Sequence, residues 1–233
     1  KNSGSADSIK LVHISTVAVY GNRNHRHPWA RVGDPVMSSA YDYYSAAKIK
    51  GERSVLESGL PHWVVLRQTA VYHKYFLSNN MNDGLMFHTC WNTPIEWATA
   101  KTSGLLLKNL VEKDSDGRLG ADFWKKVYNI GNGKTARVTG FETLDRGFNM
   151  MGRSGTEIFQ PEWNASRNFH CMWFADSHVL NEYLDFQYEG FEEFFSKLEK
   201  KLWYFKLGKP FPHLIKRFAI MPLLRTNNAP LFW

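Results

Sequence analysis

The chain has 233 residues, 43% of them hydrophobic, with a net charge of +7 and two cysteines. This length allows one large domain or two small ones with an ample core, and two cysteines cannot form a disulfide framework. We find no secretory signal and no stretch that could span a bilayer, so we expect a cytoplasmic protein. The spacing of Cys and His is too irregular for a metal site, and none is expected.

The first predicted element is a strand over residues 9–19, in the run IKLVHISTVAVYG. Most of the run is apolar and β-branched, which is typical of a parallel strand buried on both faces. Ser15 and Thr16 lie near its carboxyl end, at the edge of an open α/β sheet where ligands bind. The two hydroxyls are therefore candidates for holding a substrate oxygen. The plainer alternative is that they cap the end of the strand.

A helix is predicted from about Ser39, a good N-cap residue, to Ser58, with Gly59 as its stop. Within it, Tyr44 and Lys48 are four positions apart and so share a face. A neighbouring ammonium favours the phenolate form of a tyrosine, which makes the side chain a better group for proton transfer. The alternative is an incidental pair on an exposed helix.

The remaining elements alternate between strands and helices. In chain order we predict a strand over 62–67, an irregular Asn-rich crossing over 73–98, a helix over 99–112, a short strand at VYNIG, a helix from Thr139 and an amphipathic helix over 189–203. Aromatic residues make up 15% of the chain, and the segment 86–97 is predicted to line a pocket for an apolar or ring-bearing substrate. The alternative for these aromatics is an ordinary core.

The positive charge is concentrated at the end of the chain. Residues 200–233 contain seven Lys and Arg and no Asp or Glu. Basic residues interleaved with Leu, Phe and Trp suit a lipid headgroup boundary. An interfacial anchor, a partner-docking arm and plain packing on the protein are all open, with packing slightly favoured. Nucleic acid binding is not expected, because no recognition motif is present.

A short helix is predicted within this tail, in FPHLIKRFAIMPLLR. Pro222 limits it to two or three turns. Leu214, Phe218 and either Met221 or Leu224 would then share one stripe, which either packs on the protein or lies on a membrane.

Taken in order, these motifs resemble a known family. The chain is similar to the second half of the nucleotide-binding domain of extended short-chain dehydrogenases/reductases. The resemblance lies in the order of six features: the strand with its Ser and Thr, the VYG, the loop, the Tyr-x-x-x-Lys, the GER and the SGLPHWVVLR. They are most similar to the NAD-dependent epimerase/dehydratase group. The resemblance implies an α/β fold, with part of a Rossmann-like parallel sheet over 1–72, a smaller α/β substrate-binding region over 73–199 and a basic aromatic tail over 200–233. It departs from the family at Gln68, where a proline is usual.

The resemblance also implies roles for individual residues. Thr16 would hold the substrate oxygen, Tyr44 would transfer the proton, and Lys48 would hold the cofactor ribose and assist the tyrosine. The candidate site residues are Thr16, Tyr44 and Lys48 as catalytic, Lys48, Arg67, Gln68 and Thr69 as cofactor-binding, and Ser15, Tyr72, Asn79 and Asn80 as substrate-binding. The implied cofactor is NAD or NADP, and the partner is a small-molecule substrate. A homodimer is left open.

One family motif is missing from the sequence. No G-x-G-x-x-G or G-x-x-G-x-x-G turn, which would cradle a pyrophosphate, occurs in the 233 residues. We therefore expect a fragment of an oxidoreductase, with little affinity for NAD(P) by itself. Val17 and Ala18 stand where dehydratases of the family carry Asp-Glu, which disfavours dehydration. Carbonyl reduction or alcohol oxidation is expected first. The alternatives are a nucleotide-sugar epimerase and a non-catalytic binding or sensing protein.

Overall fold

The computed structural model describes residues 6–40, 42–75, 87, 89–166 and 170–232. The strands are β1 Lys10–Thr16, β2 Trp29–Ala30, β3 His62–Gln68, β4 Val71–Tyr72, β5 Pro94–Glu96, β6 Ala98–Thr99, β7 Lys126–Ile130, β8 Arg137–Thr139 and β9 Trp173–Phe174. The α-helices are α1 Tyr43–Leu56, α2 Ala100–Ser115, α3 Gly140–Asn149, α4 Gly155–Ile158, α5 Ser177–Leu184, α6 Phe191–Lys201, α7 Pro212–Ile215 and α8 Met221–Thr226.

The main sheet consists of three parallel strands in the order β1-β3-β7. Thr16 lies opposite Gln68, which in turn lies opposite Ile130, so all three strands end at one edge. The predicted α/β class with a parallel sheet is confirmed. The predicted extent of the first strand is wrong, because the strand ends at Thr16 and a 3₁₀ turn, Val17–Tyr20, follows it.

Helices cover the sheet on both faces. Arg67 of β3 pairs with Glu52 of α1, whereas Val64 and Leu66 belong to a buried cluster with residues of α2 and α5. Since neighbouring residues of a strand point to opposite faces, α1 covers one face of the sheet, and α2 and α5 cover the other. This arrangement explains why the interior of β3 is apolar without alternation.

The helix boundaries follow from local capping. Helix α1 begins after Asp42, whose carboxylate accepts the Ser45 N–H at 3.0 Å, and not near the predicted Ser39. Helix α2 begins after Thr99 and helix α3 after Thr139, and each has a reciprocal capping box. The predicted helices therefore exist, with ends displaced by a few residues.

Three two-stranded pairs surround the main sheet: β2 with β9, β4 with β6, and the antiparallel pair β5 with β8. Strand β2 lies before residue 73 and strand β9 lies after it, so the two predicted regions contribute to one pair. The division of the chain at residues 72 and 199 stays a prediction.

The buried carboxylate of Glu96 joins the elements around these pairs. It accepts the Arg137 Nε–H at 2.7 Å and the Ser177 O–H at 2.5 Å. It also accepts the backbone N–H groups of Gly133 and Phe174, at 3.1 and 3.0 Å. Four donors on four different segments therefore share one carboxylate, which satisfies the charge within the interior.

The C-terminal segment is helical from 212 to 226, through α7, a π-helical turn Lys216–Ile220 and α8. The prediction that Pro222 limits this helix to two or three turns is wrong, because the helical run 212–226 continues past it. Pro222 lies in the first turn of α8, where the missing N–H costs little. None of the helices in the described part of the chain is long and apolar enough to cross a membrane.

The predicted apolar stripe of this segment holds only for its first two members. Leu214 and Phe218 are both exposed, at 51% and 67%, while Leu224 is fully buried and Met221 packs partly against the core. A π-helical turn holds more residues than an α-helical turn. The residues that face the protein are therefore Ile215, Ile220 and Leu224, at intervals of five and four.

Candidate active site

Tyr44 and Lys48 lie together on the first turns of α1. The Lys48 Nζ is 5.8 Å from the centre of the Tyr44 ring, and it donates to the Ile14 carbonyl at 3.1 Å. Ile14 is two residues before the end of β1, so this bond ties the lysine to the carboxyl edge of the sheet. The Tyr44 side chain is 55% exposed and is open to a ligand.

Thr16 ends β1 and caps the 3₁₀ turn that follows. Its Oγ1 accepts the Ala18 N–H at 3.2 Å. Thr16 therefore has the capping role that was the plainer alternative, but this does not exclude a role in substrate binding. A hydroxyl that accepts one bond keeps its own proton to donate, so Thr16 can still donate to a substrate oxygen.

Ser15 and Arg67 face away from this edge, into a buried cluster under α1. The Arg67 Nε and Nη2 donate to the two oxygens of Glu52 at 2.9 and 2.7 Å. Ser15 donates to the same carboxylate at 2.5 Å. The Arg67 guanidinium also lies 4.7 Å from the centre of the Tyr20 ring. These contacts use Ser15 and Arg67 within the protein, and their assignment to substrate and cofactor binding stays a prediction that the geometry does not support.

The polar side chains after β3 also bond within the protein. The Thr69 hydroxyl donates to the Glu96 carbonyl at 2.6 Å. Gln68 donates to the Thr69 carbonyl at 3.2 Å and accepts the Ser103 O–H at 3.3 Å. Both side chains use their polar groups within the protein. The geometry therefore gives no support to the predicted cofactor-binding role of Gln68 and Thr69, which stays a prediction.

Tyr72 belongs to an aromatic cluster. Its ring stacks on Trp97 and on Phe194, with centres 3.9 and 4.8 Å apart, and its hydroxyl lies 3.2 Å from the Thr143 hydroxyl. Burial raises the pKa of Tyr72 well above its usual value. The predicted substrate-binding role of Tyr72 is corrected to a packing role. Asn79 and Asn80, the other predicted substrate-binding residues, lie outside the described residues.

An apolar cavity of about 590 Å³ lies beyond the carboxyl end of β3. Its described lining is Ala70, Val71, Thr89, Cys90, Trp91, Ile95, Trp97, Gly140, Thr143, Leu144, Gly147, Phe148, Met151, Asn164, His170, Cys171, Tyr204, Phe205, Gly208, Ile215, Ala219 and Ile220. These described residues include no Lys, Arg, Asp or Glu. The cavity can therefore hold an apolar molecule, with a few hydroxyl, amide and imidazole groups to orient it.

One lining residue is linked electrostatically to α1. His170 lines the cavity, and the charge of Asp42, the N-cap of α1, acts on its imidazole. Burial lowers the pKa of His170, although the Asp42 charge opposes this shift. The imidazole is therefore neutral at pH 7. Thr16, Tyr44 and Lys48 are not among the described residues that line the cavity.

Part of the lining comes from the segment predicted for it. Thr89, Cys90, Trp91, Ile95 and Trp97 lie within 86–97 and line the cavity; Met86 and His88 are outside the described residues. The contributions of α3 and of the C-terminal segment were not predicted.

One sequence signal could have indicated that α3 forms part of the cavity wall. Gly140 and Gly147, seven residues apart, lie on one face of that helix and line the cavity.

The cavity also contains a cysteine with unusual backbone geometry. Cys171 has a φ of 87°, a left-handed conformation that is uncommon for a residue with a side chain. Burial raises the pKa of Cys171 to about 12, so its thiol is protonated at neutral pH. Among the described residues, including those of the cavity, no three His, Cys, Asp or Glu side chains form a cluster that could hold a metal ion.

Comparison with known proteins identifies the fold. A UDP-glucuronic acid 4-epimerase from Bacillus cereus in complex with NAD is 16% identical, with a TM-score of 0.55, over 84% of this chain and 59% of that one. A dTDP-glucose 4,6-dehydratase from Bacillus anthracis in complex with NAD is 16% identical, with a TM-score of 0.59, over 90% and 66%. A short-chain dehydrogenase/reductase superfamily protein from Agrobacterium tumefaciens with bound NAD is 12% identical, with a TM-score of 0.60, over 90% and 71%.

This chain has a Rossmann-like α/β fold. At identities of 12% to 16% the likeness establishes the fold alone. The chain spans 59% of the length of the epimerase and 66% of that of the dehydratase. The sequence matches no family model and no curated protein.

Proposed function

We propose that the chain carries the active site of an NAD(P)-dependent oxidoreductase that reduces a carbonyl group, or oxidises an alcohol, on an apolar small molecule. The observation that supports this most is the Tyr44–Lys48 pair on the first turns of α1, whose lysine is bound to the carbonyl of Ile14 near the carboxyl edge of the sheet. A tyrosine assisted by an ammonium suits proton transfer to a substrate oxygen. The uncharged cavity of about 590 Å³ suits a substrate whose reacting oxygen is its main polar group.

Each of three side chains has a separate task in this proposal. In the reducing direction, the Tyr44 hydroxyl gives its proton to the substrate oxygen, and it takes that proton back in the oxidising direction. The Lys48 ammonium stabilises the phenolate left on Tyr44, since its Nζ lies 5.8 Å from the centre of the Tyr44 ring. The Thr16 hydroxyl donates to the substrate oxygen and holds it in place. The cofactor, when bound, supplies or accepts the hydride.

The residues present fit one part of such a cofactor. An ammonium has three protons, and Lys48 uses one of them on the Ile14 carbonyl, so two remain for the hydroxyls of a ribose. The 233 residues contain no Gly-rich turn for the pyrophosphate. The proposal therefore assigns only ribose contacts to this chain.

A nucleotide-sugar epimerase is the second candidate, because the fold is similar to that of a UDP-glucuronic acid 4-epimerase. A nucleotide sugar carries a diphosphate, which requires cationic or N–H donors in its site. The described cavity lining has no Lys or Arg, and for this reason we place the oxidoreductase first. A non-catalytic binding protein would not need Thr16, Tyr44 and Lys48 together.

Ligand binding by the chain itself distinguishes these candidates. Trp91 and Trp97 line the cavity, so their fluorescence reports its occupancy without any cofactor. We expect apolar ketones and alcohols to change this fluorescence with saturation, and nucleotide sugars to leave it unchanged. Ala219→Phe, which fills the cavity, should weaken the response, whereas Val111→Phe on the exposed side of α2 should not.

The opposite pattern would refute the proposed substrate class. Saturable binding of nucleotide sugars, with no response to apolar ketones or alcohols, would make the epimerase the better candidate.

A further inference from the structure

The C-terminal segment, residues 200–232, is a folded part of the protein. Ile220, Leu224 and Ala229 are fully buried, in a cluster that also contains Phe159 and Trp163. Arg153 holds the segment just before its helical run by donating to the Lys209 carbonyl at 2.7 Å. The segment therefore has a defined inner side, and its other side has a fixed position on the surface.

That other side carries large apolar residues that are exposed. We call it the outer face, and its apolar members are Trp203, Tyr204, Leu207, Phe211, Leu214 and Phe218. We call the last four the apolar stripe: Leu207 lies on a 3₁₀ turn, Phe211 precedes α7, and Leu214 and Phe218 lie on the helical run 212–226. Neighbouring exposed side chains of this size on one segment indicate a surface that is covered in use.

The charged residues of the segment itself have one sign. Residues 200–233 contain seven Lys and Arg and no acidic residue. Lys209 and Arg217 are exposed beside the apolar stripe, and the Arg217 guanidinium lies 5.3 Å from the centre of the Phe218 ring. Lys206 is also exposed and contacts Glu199 of α6 at 3.3 Å. The outer face thus combines apolar side chains with excess positive charge.

We infer that the outer face is a docking surface for an anionic lipid membrane. Apolar side chains, with Trp and Tyr among them, enter the boundary between headgroups and acyl chains, while Lys and Arg contact acidic headgroups. A nucleic acid would match the charge but not the Leu and Phe stripe. A second copy of this chain would place like charges against each other. The helical run 212–226 is about 22 Å long at 1.5 Å per residue, so it lies in the interface.

Docking there would bring the cavity to the membrane. Tyr204 is exposed on the outer face and also lines the cavity, and Phe205, Ile215 and Ile220 of the same segment form part of the cavity wall. An apolar substrate dissolved in the bilayer would have a short path to the cavity. This consequence rests on the proposed function, whereas the docking itself does not.

Vesicle co-sedimentation of the full 233-residue chain tests the inference. We expect binding to phosphatidylcholine vesicles that contain phosphatidylglycerol at low salt, weaker binding at high salt because of screening, and little binding to pure phosphatidylcholine. Replacing Lys206, Lys209 and Arg217 with Gln should weaken binding on the order of 100-fold, since each basic residue near the surface contributes about a fivefold factor. The matched control replaces Arg26, Lys101 and Lys134, which are exposed elsewhere, with Gln.

A second pair of variants tests the apolar stripe. Leu207→Ser, Leu214→Ser and Phe218→Ser together should abolish sedimentation, whereas Ser at the exposed Leu56, Leu107 and Val111 should preserve it. Thermal melts check that every variant is folded.

Three results would overturn the inference. The first is a failure of the wild-type chain to bind anionic vesicles at low salt. The second is equal binding by the stripe variant and its control. The third is that neither the wild-type chain nor the stripe variant binds vesicles, while light scattering shows the wild type as a dimer and the stripe variant as a monomer. That result would make the outer face an interface between copies of the chain.

Discussion

Replacing Arg67 with methionine removes the cation from a buried ion pair in the sheet. The side chains of Arg67 and Glu52 are each 6% exposed. After the substitution, the Glu52 carboxylate stays in the interior with the Ser15 hydroxyl as its remaining donor in this cluster. A buried charge that has lost its counterion is destabilising, and we expect the free energy of unfolding to fall by about 3–5 kcal/mol.

Replacing both partners should cost less than the sum of the two single changes. In the double variant Glu52→Met/Arg67→Met no charge is left buried, and the main residual cost is the unsatisfied Ser15 hydroxyl, about 1–3 kcal/mol. The two single changes would sum to about 6–10 kcal/mol. The difference is a coupling energy of at least about 3 kcal/mol between the two residues.

Denaturant unfolding followed by circular dichroism measures all of these values. The control is the ion pair of Arg53 with Glu57, which lies on α1 at the same distance of 2.7 Å but in solvent. An exposed pair of this kind contributes about 0.3–0.5 kcal/mol, so Arg53→Met should have little effect. A cost below about 1 kcal/mol for Arg67→Met would refute the buried pair and return Arg67 to the list of ligand-binding candidates.

Two further predictions concern Cys171 and the cofactor. Because burial raises the pKa of Cys171 to about 12, its thiolate fraction below that pH rises tenfold per pH unit. Alkylation in a Cys90→Ala background should therefore accelerate about tenfold for each unit between pH 8 and 10. A plateau above pH 9 would contradict the raised pKa. Isothermal calorimetry should show little or no binding of NAD or NADP to the 233-residue chain, because it lacks the Gly-rich turn; tight binding of either cofactor would contradict this expectation.

Local patterns were sufficient to predict the elements that position the candidate site. The apolar run around β1 and the helical spacing of Tyr44 and Lys48 depend on residues close together in sequence. The proximity of Tyr44 to Lys48 in the structure follows from that spacing. The N-cap was misplaced because Ser39 and Asp42 are both good capping residues, and only the folded chain shows which one caps α1.

Contacts between distant residues were not predictable from one sequence. The pairing of Arg67 with Glu52 spans 15 positions and joins a strand to a helix, so nothing local distinguishes this arginine from a cofactor ligand. The cavity unites Ala70, Phe148 and Ile220, which are far apart along the chain. The π-helical turn before Pro222 places Ile220, five residues after Ile215, on the buried side, and no composition rule indicates such a turn.

The most direct test of the proposed function is the turnover of Tyr44→Phe with an apolar ketone and NAD(P)H, in a protein that joins these 233 residues to a Gly-rich turn for the pyrophosphate. Removing one hydroxyl from this half-exposed ring should leave the melting temperature unchanged. Turnover should fall by about 10²–10⁴-fold, the usual effect of losing a general acid. Tyr43→Phe, on a neighbouring and still more exposed ring, should retain full turnover. Near-wild-type turnover of Tyr44→Phe would contradict the account.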